Sequence, residues 1–380
     1  MPVDHESQST RAHHPYDLDA MLADLEELVT CESYSADHAA VARSAQVVAA
    51  QGERLLGAAP RTLVIDGVTH LRWSFGTPRI LLLGHHDTVW PIGSLTTHPW
   101  SVKQGIARGP GVFDMKAGLV QMFHALASLP SLDGICVLVT GDEEVGSATS
   151  RPLIEETARQ CAATFVLEPS AAGGALKTSR KGVSAYDLTV HGRAAHSGLE
   201  PEKGINAATE LAHQILALQQ LADTVTTRTG PGTTITPTVM SAGTANNTVP
   251  ARAELSVDVR VPNAAAQQTV DALIRNLPPQ LPGARLEIGG GPNRPPLDPD
   301  ASRELFALAT EAAAHLGLDA PRQAAVGGAS DGNYTAGVGC PTLDGLGAVG
   351  DGAHADHEHV VTATMPIRAR LLAHLVGAMQ

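Results

Sequence analysis

Ile135-Cys136-Val137-Leu138-Val139-Thr140 runs directly into Gly141-Asp142-Glu143-Glu144-Val145-Gly146-Ser147, and this junction decides the fold. The first six residues form a short apolar run without alternation, the pattern of a strand buried on both faces. Two adjacent glutamates leave its end. Carboxylates at the end of a buried strand are costly unless something positive meets them. In an open α/β sheet the carboxyl ends of the strands are where ligands bind. One glutamate therefore suits a metal ligand and its neighbour a base that activates water. A solvated acidic turn is the competing reading of this stretch taken alone.

The same arrangement recurs twice. Arg79-Ile80-Leu81-Leu82-Leu83-Gly84 leads into His85-His86-Asp87-Thr88-Val89, and Thr164-Phe165-Val166-Leu167 leads into Glu168-Pro169. Chance accounts for three such junctions far less readily than for one. Residues i and i+2 of an extended chain share a face, so His85 and Asp87 lie side by side while His86 points away and reads as structural. In Gly109-Pro110-Gly111-Val112-Phe113-Asp114-Met115-Lys116-Ala117-Gly118 the glycines permit a tight backbone that aims Asp114 inward. A helix follows, with Leu119, Met122, Phe123, Leu126 and Leu129 on one face.

The periodicity predicts earlier helices over Leu18–Val29 and Ala39–Leu56, and strands over Thr62–Asp66 and His70–Ser74. From Gly182 the pattern changes. Strands over Val183–Val190, Thr234–Met240, Ala253–Val261 and Arg285–Ile288 alternate with two helices, the second capped by Asn263. The order β-α-β-β-α-β is the ferredoxin-like arrangement. The expected fold is α/β, a mostly parallel central sheet flanked by helices, with an inserted α+β domain. The expected division is 1–180, 181–293 and 294–380, the outer two forming one catalytic domain. After the insertion come a helix over Ser302–Leu316, a loop Gly327-Gly328-Ala329-Ser330-Asp331-Gly332, a polar cluster around His354, and a last helix over Met365–Met379.

The 380 residues suffice for two or three domains, and 43% hydrophobic content with mean hydropathy near zero is that of an ordinary globular protein. A formal charge of −13 argues against a nucleic-acid partner. Cys31, Cys136, Cys161 and Cys340 are widely spaced without a Cys-x-x-Cys pair, which fits a reducing compartment, and Cys136 reads as core. Met1 to Tyr16 lacks the pattern of a signal peptide, and His13-His14 reads as part of a mobile tail. No apolar run reaches membrane-spanning length. The expected location is the cytoplasm.

His85, Asp114, Glu144, Glu168 and His354 form the candidate ligand set. Two imidazoles and three carboxylates suit two closely spaced divalent ions, zinc accepting both donor types. The lack of cysteine points to a catalytic site. Asp87 would hydrogen-bond the second ring nitrogen of His85. Glu143 would take a proton from the water that the ions share and pass it to the leaving nitrogen.

His85-x-Asp87, Gly109-Pro110-Gly111-x-x-Asp114-Met115-Lys116, Asp142-Glu143-Glu144-x-Gly146-Ser147, Glu168-Pro169 and the late Gly-x-x-x-His ending at His354 occur in this order. Together they resemble the zinc metallopeptidase family of glutamate carboxypeptidases (carboxypeptidase G type), aminoacylases and succinyl-diaminopimelate desuccinylases. The resemblance covers nearly the whole chain after about residue 20. It implies one zinc held by His85 and Glu168, another by Glu144 and His354, and Asp114 bridging them, with cobalt or manganese as substitutes. It implies a cis peptide after Asp114 and a general base at Glu143. The inserted domain corresponds to a dimerisation lid. There, His196 in Gly192-Arg193-Ala194-Ala195-His196-Ser197-Gly198 would reach the partner subunit's site and stabilise the oxyanion. Asn247 matches a substrate-contacting asparagine, with the adjacent Asn246 as the alternative. Arg294 matches an arginine that binds the substrate carboxylate bidentately. Gly327 and Gly328 match a loop beside that carboxylate.

Competing readings accompany some residues. His357 and His359 read as an exposed polar turn, Glu358 as a support for His354, and Arg260 as either a substrate contact or a lid salt bridge. Lys116 and Lys181 read equally as surface charges. The expected activity is release of a C-terminal amino acid from a peptide or N-acyl amide, glutamate carboxypeptidase-like first. A deacylase or dipeptidase of the same family is the alternative. A non-catalytic binding protein is the remote one, which intact Glu143 and ligands disfavour.

Overall fold

The strands that lead to His85, Glu143-Glu144 and Glu168 are immediate neighbours and run parallel. In the computed structural model, which describes residues 16–229 and 231–380, Ile135–Thr140 pairs with Ile80–His85, and Ile80–His85 pairs with Ala163–Val166. His85 stands opposite Thr140 and Leu83 opposite Val166, so the three carboxyl ends finish at one level. Thr342–Leu343 extends the sheet in parallel, while Val68–Ser74 and Arg61–Ile65 continue it antiparallel on the other side. His13 and His14 lie outside the described residues.

Every residue of Ile80–His85 and Ile135–Thr140 is buried, as strands covered on both faces require. The helix Ala117–Ala127 differs from its one-faced expectation. All residues from Ala117 to Leu126 are buried, because the sheet lies on one side and the helices Leu18–Thr30, His38–Leu56 and Met365–Ala378 on the others. Gly118 sits where this helix meets the sheet. A Cβ there would stand 2.1 Å from the carbonyl oxygen of Leu167, so its absence lets the helix rest against the strand end that carries Glu168.

Between Gly182 and Arg294 the chain builds a separate four-stranded antiparallel sheet. In space Thr234–Ala242 is followed by Arg252–Val261, Gly182–His191 and Arg285–Arg294. The helices Ala207–Thr229 and Ala264–Arg275 cover it, and Leu188, Leu218, Val257, Val270 and Ile274 lie in its own core. Asn263 caps the second helix through the amide of Ala266, as the sequence indicates. The last strand is longer than its predicted end at Ile288. Gly289-Gly290-Gly291-Pro292 has the Gly/Pro-rich composition of a segment bounding the inserted domain, yet its glycines continue pairing with Asp187-Tyr186-Ala185. A Cβ on Gly290 would meet the Ala185 carbonyl oxygen at 2.2 Å, so glycine permits a close strand approach here. That extension carries Arg294 to the main sheet.

Several elements have no sequence counterpart above. Ser101–Lys103, Ile106–Arg108, His359–Val361 and Gly350–Asp351 form a small antiparallel sheet. Leu176–Arg180 pairs in parallel with Gln323–Val326, and the glycine-rich loop ends in a helix, Gly332–Gly337. Among the described residues no helix is long and apolar enough to cross a membrane.

Candidate active site

His85 is the last residue of its strand, and its ring is almost fully buried. Its Nδ1 lies 3.0 Å from the main-chain carbonyl oxygen of Asp87 and 3.5 Å from that residue's carboxylate. The nearer partner is thus the carbonyl, not the carboxylate that the sequence suggests. The Asp87 carboxylate instead accepts from Ser35 Oγ at 2.7 Å and from the amides of Glu143 and Glu144, each at 3.2 Å. It pins one strand end to the turn that follows the next. With Nδ1 donating to a carbonyl, Nε2 is left as the lone-pair atom. That Nε2 faces Asp114 at 3.4 Å and Glu168 at 3.5 Å.

On the other side of Asp114, His354 Nε2 lies 3.0 Å from Glu144 and 3.5 Å from Asp114 Oδ2. His354 has a left-handed backbone (φ 63°), an uncommon state for a residue with a Cβ that recurs at functional sites. Its side chain is 50% exposed, against 2% for His85, so this half of the site faces solvent. The Asp114–Met115 peptide is cis.

The ligand atoms fall into two triads, His85/Asp114/Glu168 and Asp114/Glu144/His354, each within 4.8 Å of one another. His85 Nε2, Asp114 Oδ1 and Glu144 Oε1 are buried and have no hydrogen-bond partner. Orphaned acceptors within the two triads are what divalent cations satisfy. Asp114 and Glu144 push the His354 imidazole up to about 10, which expresses the same demand for positive charge. Burial alone would raise the Asp114 carboxyl, but His354 and His85 hold it far below the usual range. The residues present therefore fit two metal ions with nitrogen and oxygen ligands and a shared aspartate.

Glu143 lies beside this set, and burial pushes its carboxyl well above the usual range while Arg294 opposes the shift. Arg294 Nη1 is 2.9 Å from Glu143 Oε1. Its Nη2 donates to Ser147 Oγ at 2.7 Å, to the Glu143 carbonyl at 3.1 Å and to Asp331 at 3.2 Å. Its guanidinium stacks over the Tyr334 ring at 5.3 Å. Asp331 also accepts from Thr140 Oγ1 and Ser147 Oγ. Sequence reasoning assigned no role to Asp331, Ser147 or Tyr334. Asp331 sits in the quoted glycine-rich loop, and an acidic residue among glycines was the available signal. Arg180 was likewise missed. It pairs with Asp344 at 2.6 Å and reaches Glu168 at 3.5 Å, giving that ligand a buried counter-charge.

His196 and Asn247 stand together, but in the antiparallel unit. Ser197 donates to the Asn247 carbonyl at 2.9 Å and Val249 to that of Ala195 at 2.8 Å. Both residues are exposed, and the His196 ring bonds locally, its Nδ1 accepting the amides of Gly198 and Leu199 at 3.1 Å. Gly327 and Gly328 are exposed, and a Cβ on either would meet nothing within 4 Å. The Gly328 carbonyl accepts from Arg180 at 3.1 Å.

Four of the competing readings resolve individually. His86 is buried against Ser44 and the Thr69 carbonyl, and burial lowers it to about 4, in keeping with a structural role. Arg260 pairs with Asp258 at 2.9 Å. Lys116 is not a surface charge: it is buried, and its Nζ donates to the Cys31 carbonyl. Glu358 supports the Asp114 loop, and its hydrogen bonds go there and to Trp90.

Residues 81–378 match the profile of the family described as Peptidase family M20/M25/M40. The chain belongs to this family. It is thereby an amide-bond hydrolase of a metal-dependent family. Carboxypeptidase G2 of Pseudomonas sp. (strain RS-16) is 29% identical over 379 residues, covering 94% of this chain and 88% of that protein. Succinyl-diaminopimelate desuccinylase of Rhodospirillum centenum is 28% identical over 365 residues, covering 89% and 92%. The M20 family metallo-carboxypeptidase Sso-CP2 from Sulfolobus solfataricus shares the fold with a TM-score of 0.73 at 16% identity, covering 94% and 99%. The Bacillus subtilis YXEP protein, described as a dinuclear metal binding peptidase, does so with a TM-score of 0.66 at 16% identity, covering 95% and 98%.

Proposed function

We propose that this chain is a di-zinc amidohydrolase that releases a C-terminal amino acid from a small peptide or N-acyl amino acid, with glutamate carboxypeptidase-like activity first. The observation that carries the reading is the pair of ligand triads sharing Asp114, with Glu143 buried beside them. His85 and Glu168 would hold one ion, Glu144 and His354 the other. When bound, the ions supply Lewis acidity toward the scissile carbonyl and the attacking water. Glu143 takes the proton of that water and returns it to the leaving nitrogen, and its raised affinity for protons suits a base that must also act as an acid. Asp87 keeps Glu143 and Glu144 in place through their amides. Arg294 binds the substrate's free carboxylate by exchanging it for Glu143 or Asp331. Gly327, Gly328 and Asn247 contact substrate.

In this reading residues 1–180 and 294–380 form the catalytic domain and 181–293 a lid through which two copies pair. His196 acts in the partner's site. Supporting this is the tautomer its hydrogen bonds impose: Nδ1 accepts two amides, so Nε2 carries the proton and is available as an oxyanion donor. Four free cysteines support a cytoplasmic location.

The test is amino-acid release by the zinc-loaded protein from a panel pairing acetyl, succinyl, benzoyl, pteroyl-like and aminoacyl groups with several C-terminal residues. Selective release of glutamate or aspartate across acyl groups supports the carboxypeptidase reading. Dependence on the acyl group with indifference to the amino acid makes the chain a deacylase. Silence with two metals bound overturns both.

A further inference from the structure

We infer that Glu358 is a positioning residue for the metal centre, acting through the backbone of Asp114. The inference rests on the two-ion reading above.

Glu358 is 3% exposed, and its carboxylate meets four donors. Oε1 accepts the amides of Phe113 at 2.8 Å and Asp114 at 3.0 Å. Oε2 accepts the Gly111 amide at 3.1 Å and the Trp90 indole Nε1 at 2.7 Å. Three of these donors belong to one irregular loop. Gly111 is left-handed (φ 68°), and Asp114 and Met115 lie outside helical geometry, so no regular ladder satisfies the loop's amides. Buried amides need partners, and here one side chain supplies them.

The loop is also held from its other side. A Cβ on Gly111 would stand 2.4 Å from Thr88 Cγ2, so the loop presses directly on the segment that follows His85. Between these two constraints the Asp114 main chain has little room to move. Its carboxylate consequently divides its oxygens, Oδ1 toward His85 at 3.4 Å and Oδ2 toward His354 at 3.5 Å. Glu358 lies four residues after His354, and its own amide closes a turn onto the Ala355 carbonyl at 2.9 Å. One short segment therefore supplies a ligand to one triad and clamps the ligand that both triads share. Trp90, three residues past Asp87, ties the first strand end to the same carboxylate.

Both oxygens are required. Glutamine offers one acceptor oxygen and an amide NH₂ that would face N–H donors. Glu358→Gln therefore keeps the shape while leaving two donors without acceptors. The expected result is a loss of about 10–100-fold in metal affinity, with the purified apo-protein still folded by circular dichroism. Metal-to-protein ratio after dialysis against graded chelator reads the affinity. The visible absorption of the cobalt-loaded protein reads the ligand geometry and should change. Glu358→Asp keeps the charge but is shorter, and should fall between wild type and Glu358→Gln.

Wild-type affinity and cobalt spectrum in Glu358→Gln would overturn the inference. So would a loss of apo-protein stability with metal affinity intact, which marks a merely structural role. If Glu358→Gln does not fold, wild-type metal affinity in Glu358→Asp overturns it equally. The wild-type control separates this inference from the reading beneath it: fewer than two ions there overturns both, whereas two ions there leave Glu358 judged by its variants alone.

Discussion

Arg294 Nη1 stands 2.9 Å from Glu143 Oε1, so the residue matched to substrate-carboxylate binding is ion-paired with the residue matched to the general base. Both side chains are at most 10% exposed. Arg294 comes from the end of the antiparallel unit's last strand, Glu143 from the end of a parallel strand in the main sheet. The pair joins the two units beside the candidate metal site. Under the proposed function, a substrate carboxylate entering this site would compete with Glu143 and Asp331 for one guanidinium.

Glu143→Gln should lower kcat by about 10²–10⁴-fold, the usual range for loss of a positioned acid–base group. Glu143 belongs to neither ligand triad, so metal content by elemental analysis should stay at the wild-type value. Unchanged turnover in this variant would remove Glu143 from the reaction.

Arg294→Ala should destabilise the protein by about 3–5 kcal/mol, because breaking a buried pair leaves its partners uncompensated. Those partners are Glu143 and Asp331, both buried. Urea denaturation of Arg294→Ala, Asp331→Asn and the double variant gives the coupling. Additive losses would mean that Arg294 and Asp331 do not act together.

Metal dependence should be graded along the ligand set. Asp114→Asn removes a charge common to both triads and should weaken both ions, while His354→Ala touches only the triad completed by Glu144. Elemental analysis should give fewer than two ions for both variants, lowest for Asp114→Asn. Chelation of the wild-type protein should lower Tm, since ions that bind only the folded state stabilise it by mass action.

Glu210 offers a pH test far from the metal ligands in sequence. It accepts from Gln214 Nε2 at 2.6 Å and from the amides of Gln280 and Leu281. Burial would raise its carboxyl, but these donors outweigh it and hold it below its ordinary value. A depressed carboxylate stabilises the fold fully above its unfolded pKa, about 4.3, and this contribution is lost as pH falls through the folded value. Glu210→Gln should therefore cost about 1–3 kcal/mol at neutral pH. The Tm gap to wild type should close on acidification below about pH 4, as the wild-type glutamate protonates. A gap independent of pH would contradict the assignment.

Much of this was legible because strand burial leaves a direct trace. Ile80–His85 and Ile135–Thr140 are apolar runs because both faces are covered, and their polar residues can stand only at the ends. The period-two pattern of Gly182–His191 and the Asn263 cap were equally local signals. The shortfalls share a cause. Gly289-Gly290-Gly291 carries the composition of a boundary segment but pairs with a distant strand. The helix Ala117–Ala127 carries an apolar stripe but is enclosed on all sides. Lys116 looks solvated and is buried against Cys31.

The sequence by itself determined the sheet's core strands and the insertion of a second α+β unit, and it singled out the five candidate ligands and the candidate base, because each is written in residues close along the chain. Only the tertiary structure decided that the candidate ligand atoms gather within 4.8 Å of one another in two triads, that Arg294 pairs with Glu143, that Asp331 and Arg180 stand behind them, and that Glu358 meets the Asp114 loop. These are contacts between segments tens to hundreds of residues apart. A buried charge is compatible with many partners, and which one it meets depends on where the packed strands and loops bring the backbone.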